Sequence, residues 1–573
     1  MDLQAADNLR AAEALLSALM GLGLKRLVLC PGSRCGPLTL AASRLEGHGL
    51  QLFCGIDERS AGFLALGMSR ADGCATAVVT TSGTAVANLL PAAVEADFSA
   101  LPLLFISADR PERLKACGAN QTVNQEAFLQ PSCRALVQGP LDGLHRADAG
   151  RLQRLADAAW RQCHGIPAGA VHLNLAFEEP LHASAALPLP EAPPLRPFEL
   201  PSLEGPESGL APLDLDQPGV IVVGPWRRGH GARFVAALQR LVHRTGWPVL
   251  ADAASGLRGL ELPLISAYDL LLHEPARVPP AGQVLRLGSM PASRRLHDWL
   301  AAHQGPELVI TEADPRRQDP LASGAPQHWQ GVQVCTSTVA AGSPAPASLE
   351  LQRCWLEAER ATQQRLDQSL PLLGPCSEPA LARALQQLIA EQWPVMLASS
   401  SPVRDWESFA APPAAHRTVV SFRGASGIDG TLSMAAGLAS QWQRLVLITG
   451  DLALLHDSNG WLWGQQLKAQ LRVVLIDNGG GGIFEQLSIP RAGLDFSRLF
   501  AMPQAVDPLA LAAAHGVPQQ SCHAMPQLAE AIDWLLQGAE PMRLLRCCTD
   551  PAADAELRRS LRQPGWPLEP TVA

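Results

Sequence analysis

The chain has 573 residues, 47% of them hydrophobic and 17% charged, and its formal net charge is −9. A typical size of about 150 residues per domain predicts three or four domains, and this composition favours large buried cores over extended disorder. No basic tail or block of lysines and arginines occurs, which argues against nucleic acid as a partner.

Thirteen cysteines occur without a C-x-x-C pair, a pattern typical of reduced thiols packed as small core residues in a cytoplasmic protein. Residues 1–23 have acids early and predict an amphipathic helix, and they lack the basic start and apolar run of a signal peptide. No stretch of about 18 uninterrupted apolar residues occurs, so we expect no membrane span.

The first segment, 1–182, alternates short apolar runs with helical patterns. Strands are predicted at 25–30, 50–56, 75–80 and 101–107, with helix-like stretches or polar turns after each of them. This alternation is typical of a parallel sheet with covering helices.

Two proline-rich stretches, 183–217 and 339–349, lack apolar periodicity and predict linkers. The segments 218–338 and 350–573 again alternate strands and helices, and the middle one has no glycine motif for a nucleotide. The predicted fold is therefore α/β, with three doubly wound parallel-sheet domains at 1–182, 218–338 and 350–573.

Polar motifs follow the predicted strands, and ligands of open α/β sheets bind beyond the carboxyl ends of strands. The sharpest pair is in the third segment, where Gly450-Asp451 ends one strand and Asn478, 27 residues later, ends the next. This interval allows one helix between two parallel strands, and both side chains offer the hard oxygen ligands that Mg²⁺ prefers. An Asp cap and an Asn-Gly turn remain the alternatives for either residue alone.

The pair resembles the motif of thiamine-diphosphate enzymes, which begins Gly-Asp-Gly and ends Asn-Asn after a similar interval. Leu452 and Asp477 depart from that motif, but they suit one family, the 2-succinyl-5-enolpyruvyl-6-hydroxy-3-cyclohexene-1-carboxylate (SEPHCHC) synthases, in which GDL precedes Leu-His-Asp. Other stretches are similar to that family: PGSRCGPLTLA (31–41), DERSAGFLALG (57–67), TSGTAVANLLPAAVEA (81–96), ADRP (108–111), GANQTVNQ (118–125), SRRLHDW (293–299), RGASGIDG (423–430) and GGGGIF (479–484).

The resemblance implies a pyrimidine-binding first domain, a middle domain and a diphosphate-binding third domain. Glu58 would exchange a proton with the aminopyrimidine ring of the cofactor, although an acid at a helix start also suits the helix dipole. Ile428 would be the apolar wedge beneath the cofactor. Mg²⁺ or Mn²⁺ would be held by Asp451, Asn478 and the carbonyl of Gly480. The remaining cofactor-binding positions are Gly450 and Gly482.

The resemblance also implies a pocket for two dicarboxylate substrates, 2-oxoglutarate and isochorismate, which guanidinium groups would grip bidentately. Its residues would be Ser33, Arg34, Arg110, Gln121, Arg294, Arg295, Ser400, Arg404, Arg423, Phe484 and Leu487. Among them, Arg34, Gln121, Arg404 and Arg423 would act in catalysis with Glu58. His456 is expected to be structural.

The implied reaction is decarboxylation of 2-oxoglutarate and 1,4-addition of the remaining carbon unit to isochorismate, in menaquinone or phylloquinone biosynthesis. We expect a homodimer with shared active sites, arranged as a dimer of dimers. Three alternatives stay open: another thiamine-diphosphate decarboxylase or carboligase, a non-catalytic binding protein that kept the fold, and a Rossmann dehydrogenase. The last lacks its glycine fingerprint here.

Overall fold

The computed structural model describes residues 3–183, 194–196, 198–199, 209–225, 231–337, 339–370, 372–489 and 491–563. Within them, three six-stranded sheets organise the chain, and the strands of each sheet pair in parallel. The predicted α/β class with three doubly wound sheets is therefore confirmed. No helix of the described residues is long and apolar enough to cross a membrane.

The first sheet has the strand order β2-β1-β3-β4-β6-β5. Its strands are β1 (Arg26–Leu29), β2 (Gln51–Cys54), β3 (Thr76–Thr80), β4 (Leu103–Asp109), β5 (Cys133–Gln138) and β6 (Ala170–Ala176). The helices are α1 (Leu3–Leu22), α2 (Gly36–Leu45), α3 (Glu58–Asp72), α4 (Thr84–Ala87), α5 (Leu90–Phe98) and α6 (Ala149–Cys163). β3, β4 and β6 are buried at every position, as expected for parallel strands covered on both faces.

The middle sheet has the order β12-β11-β10-β7-β8-β9. Its strands are β7 (Val220–Val223), β8 (Val249–Ala251), β9 (Leu264–Ile265), β10 (Val284–Leu287), β11 (Glu307–Ile310) and β12 (Gln327–His328). The helices here are α7 (Ala232–Thr245), α8 (Tyr268–Leu271), α9 (Arg294–Ala302) and α10 (Val332–Cys335). The four inner strands are buried throughout, and they are apolar except for Arg286 and Glu307, which pair with each other.

The third sheet has the order β14-β13-β15-β16-β18-β17. Its strands are β13 (Val395–Leu397), β14 (Val419–Ser421), β15 (Arg444–Gly450), β16 (Gln470–Asp477), β17 (Gln519–Cys522) and β18 (Met542–Cys548). The helices are α11 (Pro346–Ser369), α12 (Glu378–Leu388), α13 (Ser401–Phe409), α14 (Thr431–Trp442), α15 (Asp451–His456), α16 (Pro508–Ala514), α17 (Leu528–Leu536) and α18 (Pro551–Ser560).

The structure describes the two predicted linkers to different extents. Most of the first one, 183–217, lies outside the described residues. The second, 339–349, was predicted too long, because Pro346 begins α11. Proline is well suited to the first turn of a helix, where its missing N–H has no partner to lose, so its presence does not exclude a helix start.

The first and third sheets share one strand order, so α3, which follows β2, corresponds to α14, which follows β14. The chain divides into two compact units, and α14 belongs to the unit of the first sheet. That first unit comprises described residues up to 202 together with 423–443 and 456–469, and the second comprises the rest. In the first unit, α3 packs against α14 through the Ser60 and Ser433 hydroxyls, 2.7 Å apart. Gly437 permits this approach, since a Cβ there would stand 2.1 Å from the Leu64 carbonyl oxygen.

All thirteen cysteines are free thiols, and seven of them are buried. The expectation of small core residues therefore holds for those seven, while Cys54 and Cys117 are exposed. Burial raises the pKa of the Cys133 thiol to about 12, which keeps it protonated and unreactive at neutral pH.

Candidate active site

Two adjacent carboxylates at the start of α3 have different surroundings. Asp57 is the N-cap, and its side chain accepts from the backbone N–H groups of Arg59 and Ser60 at 3.0 and 3.2 Å. Glu58 is the first helical residue and is half-buried, and its one side-chain contact among the described residues is a long 3.5 Å bond from Asn88 Nδ2. Since Asp57 already satisfies the helix start, the Glu58 carboxyl remains available to a ligand.

The segment after α15 holds this helix start in place. Arg59 donates to the His456 carbonyl at 2.9 Å and approaches the His456 ring nitrogen at 3.2 Å. Asn459 Nδ2 donates to the second carboxylate oxygen of Asp57 at 2.9 Å. His456 therefore contacts Arg59, and its structural role stays a prediction. Glu58 projects from a rigidly supported turn.

Three predicted pocket residues of the first unit lie together. Arg110 donates to Ser82 Oγ and to the Gln121 carbonyl, the latter at 2.9 Å. Burial lowers the pKa of Arg110, and the nearby positive charge of Arg34 lowers it further. Arg34 is itself buried and donates to the Glu179 carboxylate at 2.7 Å. Two neighbouring guanidinium groups beside Gln121 form a positive region that suits an anionic substrate.

A buried polar network supports this region, and its members were not predicted as functional from the sequence. Gln125 Oε1 accepts from Gly83 N at 3.0 Å, while its Nε2 donates to Asn174 Oδ1 at 2.8 Å. Asn174 in turn donates to Asp109, the residue before Arg110, at 2.9 Å. Gln125 lies in the stretch 118–125 that is similar to the SEPHCHC synthases, and its polar side chain within that stretch could have indicated a functional residue. Asn174 sits in an apolar strand and carried no such signal.

The loop 423–430 follows β14 and precedes α14. Ile428 is half-buried, and its carbonyl accepts from the Thr431 hydroxyl at 2.8 Å. Arg423 is half-buried and has no hydrogen bond or ion pair with any other described residue. Arg34, in contrast, pairs with Glu179 at 2.7 Å.

The predicted metal ligands meet at the ends of two neighbouring strands. β15 and β16 pair in parallel with Gly450 opposite Ile476, which brings Asp451 beside Asn478. Asn478 Nδ2 donates to Glu378 at 2.6 Å, whereas its buried Oδ1 has no hydrogen-bond partner within the described part of the chain. A buried acceptor without a partner lowers the stability of the folded state by about 1–3 kcal/mol. A ligand bound to this oxygen would remove that cost.

The charge at this place also suits a cation. Burial raises the pKa of Asp451 to about 7, and the nearby Asp477 carboxylate contributes to the rise. The described residues contain no group of three His, Cys, Asp or Glu side chains arranged to hold a metal ion. A cation here would thus rely on Asp451, Asn478 Oδ1, the Gly480 carbonyl, water and ligand phosphate oxygens, which is a donor set typical of Mg²⁺. A cavity of about 270 Å³ adjoins Asp451 and is also lined by Gly479 and Arg546.

The pocket residues predicted in the second unit are placed unequally. Arg295 donates to both oxygens of the buried Asp269 at 3.0 and 2.9 Å, so it has a structural partner. Arg294 is 81% exposed and pairs with Asp298 one turn along α9. The others are distributed as follows: Arg404 bonds the Ser400 carbonyl at 2.8 Å, Phe484 packs edge-on against Phe500, and Leu487 is 54% exposed. In the first unit, Ser33 is exposed.

Comparison with known proteins gives matches along nearly the whole chain. Residues 9–128 match the thiamine pyrophosphate enzyme N-terminal TPP binding domain, 215–396 the middle domain of thiamine pyrophosphate enzymes, and 408–544 the C-terminal TPP binding domain. A protein of Synechococcus sp. (strain RCC307) named 2-succinyl-5-enolpyruvyl-6-hydroxy-3-cyclohexene-1-carboxylate synthase is 70% identical over 568 residues, 99% of each chain.

Two further relatives carry the same name. The one from Parasynechococcus marenigrum (strain WH8102) is 51% identical, with 96% of this chain and all of that protein covered. The one from Prochlorococcus marinus (strain MIT 9313) is 49% identical, with 95% and 97% covered. Fold, paired strand ends and domain matches together define a thiamine pyrophosphate (thiamine diphosphate) enzyme. Within that class, the chain belongs to the SEPHCHC synthase family.

Proposed function

We propose that this protein is a SEPHCHC synthase, a transferase that joins the carbon unit left by decarboxylation of 2-oxoglutarate to isochorismate, with release of carbon dioxide. The observation that supports this most is the 70% identity to a synthase of that name over 99% of both chains. The product would enter menaquinone or phylloquinone biosynthesis, in the cytoplasm.

Two groups of residues would bind different parts of the cofactor. Asp451, Asn478 and the Gly480 carbonyl would hold Mg²⁺ or Mn²⁺, and through it a diphosphate, while Glu58 would face the aminopyrimidine. When bound, thiamine diphosphate supplies a nucleophilic carbon and an electron sink for decarboxylation. Glu58 would hold and exchange a proton at the pyrimidine nitrogen that it faces. This role is supported by the Asp57 cap, which leaves the Glu58 carboxyl available.

Substrate binding is assigned to the positive region around Arg34, Arg110 and Gln121 and to Arg423. Fixed guanidinium groups orient carboxylates and offset the negative charge of the whole chain. Several arginines suit two dicarboxylates better than a small neutral acceptor, which favours this activity over an acetolactate synthase or a simple decarboxylase. Arg294, Arg295, Ser400, Arg404, Phe484 and Leu487 stay in the proposal as further pocket residues of the second unit.

The test is an assay of the purified protein with thiamine diphosphate, Mg²⁺, 2-oxoglutarate and isochorismate, in which isochorismate loss is followed and the product mass is determined. We expect loss of isochorismate only when 2-oxoglutarate is present. A parallel reaction with pyruvate in place of 2-oxoglutarate distinguishes the alternatives. Carboligation of pyruvate, or rapid carbon dioxide release without isochorismate, would contradict the proposed activity.

A further inference from the structure

Glu95 is a buried carboxylate on α5 whose partners are mainly backbone groups of a distant loop. Its Oε1 accepts from Gly424 N at 3.0 Å, and its Oε2 accepts from Ala425 N at 2.7 Å and from Ser426 N at 3.2 Å. The Ser99 hydroxyl adds a fourth bond at 2.7 Å. Only 4% of Glu95 is exposed, so the carboxylate has been withdrawn from water and is held by these four donors.

The three N–H groups form a concave anion site of the kind that successive backbone amides make. Ser426 has a φ of 62°, a left-handed conformation that is unfavourable for a residue with a side chain. Hydrogen bonds to a charged acceptor are stronger than neutral ones, and here they offset that strain. Without the carboxylate, three convergent amides would be left facing a buried space.

The loop also lies directly on the carboxylate. A Cβ at Gly424 would stand 2.5 Å from Ser99 Oγ and 2.7 Å from Glu95 Oε1. Only glycine therefore allows the backbone to come this close. The Glu95 side chain is not needed to cap the end of α5, because the Ser99 backbone N–H already bonds the carbonyls of Glu95 and Asp97.

We propose that Glu95 is a positioning residue for the synthase reaction: it fixes the backbone of 424–426, which lies between Arg423 and Ile428, and so sets the guanidinium of Arg423 for a substrate carboxylate. The inference rests on the proposed function of Arg423. The three loop amides and the Ser99 hydroxyl occupy the carboxylate oxygens of Glu95, and no ion pair joins Glu95 to Arg423 among the described residues.

The experiment compares Glu95→Gln, Arg423→Ala and the double variant in the full chain with both substrates. A glutamine must place its NH₂ group against one or two backbone N–H groups, so the loop shifts while the size of the side chain is kept. We expect Glu95→Gln to raise the KM of the substrate that Arg423→Ala affects by about tenfold, with kcat changed less than about threefold. In the Arg423→Ala background, Glu95→Gln should change that KM less than about twofold.

Two variants and one structural measurement complete the design. Ser99→Ala removes one donor from the same carboxylate but leaves its three bonds to the loop amides in place, and it should leave both KM values within about twofold. Gly424→Ala disturbs the loop from its own side and should reproduce the KM effect, even where Glu95→Gln folds poorly. Hydrogen exchange of the peptide 423–430 should quicken in Glu95→Gln and stay unchanged in Ser99→Ala.

The outcomes separate the inference from the proposed function. If Arg423→Ala leaves both KM values unchanged, the assignment of Arg423 fails. If Arg423→Ala raises a KM but neither Glu95→Gln nor Gly424→Ala does, the positioning role alone is overturned. It is also overturned if the effects of Glu95→Gln and Arg423→Ala multiply fully, because independent effects would mean that Glu95 does not act through Arg423.

Discussion

Asp57 and Glu58 are adjacent acids with separate tasks. Asp57 satisfies the backbone at the start of α3, and its neighbour needs no structural partner there. A carboxyl can exchange a proton with a ring nitrogen, whereas a carboxamide can only hydrogen-bond to it. The proton exchange proposed for Glu58 therefore depends on the acid itself.

We expect Glu58→Gln to lower turnover by about 10²–10⁴-fold, the usual contribution of a general acid–base group, while cofactor affinity measured by calorimetry changes little. The direct measurement is the hydrogen–deuterium exchange rate at the reactive carbon of the bound cofactor, followed by NMR. Asp57→Asn is the matched control, because asparagine caps helices about as well as aspartate. A wild-type exchange rate in Glu58→Gln would remove Glu58 from the proton relay.

His172 is a buried, neutral histidine in the first sheet. Its Nε2 lies 2.7 Å from the Ser107 hydroxyl, next to the network that supports Arg110. Burial lowers the pKa of His172 to about 4, against an ordinary value of 6.5. As the pH falls below 6.5, an unfolded chain binds a proton here that the folded chain does not, so stability declines until the folded histidine protonates near pH 4.

Between pH 6.5 and 5 this residue should lower the opening free energy of the first sheet by about 2 kcal/mol. His172→Gln should remove that part of the pH dependence. The measurement is hydrogen exchange of β4 and β6 amides, corrected for intrinsic rates, because a chain of several domains has no single unfolding transition. Parallel pH profiles for the variant and the wild type would show that His172 does not titrate in this way.

At the scale of elements, α12 and α18 support the candidate cation site. Glu378, the first residue of α12, accepts from Asn478 Nδ2 and also pairs with Arg558 of α18 at 2.5 Å. Arg558 pairs with Asp405 of α13 as well. This buried arrangement orients the Asn478 amide, because its nitrogen faces Glu378 and its oxygen stays free for the proposed cation. A residue 100 positions away in sequence thereby supports the proposed metal ligand.

We expect Glu378→Gln to weaken binding of Mg²⁺ and thiamine diphosphate by about 10–100-fold, the range typical of residues that orient metal ligands. The glutamine oxygen should keep the bond to buried Arg558, so its NH₂ group meets Asn478 and turns the asparagine nitrogen towards the cation. Calorimetry of the cofactor-free protein measures the effect. Glu359→Gln is the control, since Glu359 is also buried and accepts from Ser266 and Ala267. Equal affinities in both variants would show that Glu378 does not orient Asn478.

At the scale of the molecule, the proposed cofactor residues belong to different compact units. Glu58 is in the first unit, and Asp451 and Asn478 are in the second. A symmetric dimer can build each site from one unit of each chain, because the same pair of surfaces then meets twice. We propose that the chain forms a homodimer with this arrangement, and that two such dimers form a larger assembly.

Mixing of inactive variants tests the shared site. Glu58→Ala and Asp451→Ala should each be inactive, but when they are unfolded together and refolded at equal amounts, about half of the dimers should be mixed. One site of a mixed dimer then carries both lesions and the other carries neither, so activity should return to roughly a quarter of wild type. A mixture of Asp451→Ala and Asn478→Ala is the control, because every site would keep a lesion. No recovery in the first mixture, despite proven mixed dimers, would place each site within one chain.

The three parallel sheets and the position of most polar motifs at strand ends could be predicted from local sequence patterns alone. Apolar runs and helical periodicity are local properties, and a buried parallel strand requires them wherever it lies. Asp451 and Asn478 could be paired for the same reason, since neighbouring parallel strands end at one edge. Helix α11 was missed at its start because proline suits both a linker and a first helical turn.

The side chains that support those motifs could be identified only in the folded structure. Glu95 and Gly424 are 329 residues apart, and no local pattern distinguishes a carboxylate that holds a distant loop from one that faces solvent. The pairing of Arg295 with Asp269 could not be predicted from the sequence either, nor could the lack of a partner for Arg423 among the described residues. The physical reason is that hydrophobic patterning specifies elements along the chain, whereas hydrogen bonds and ion pairs depend on which buried groups the packed elements bring within about 3 Å of one another.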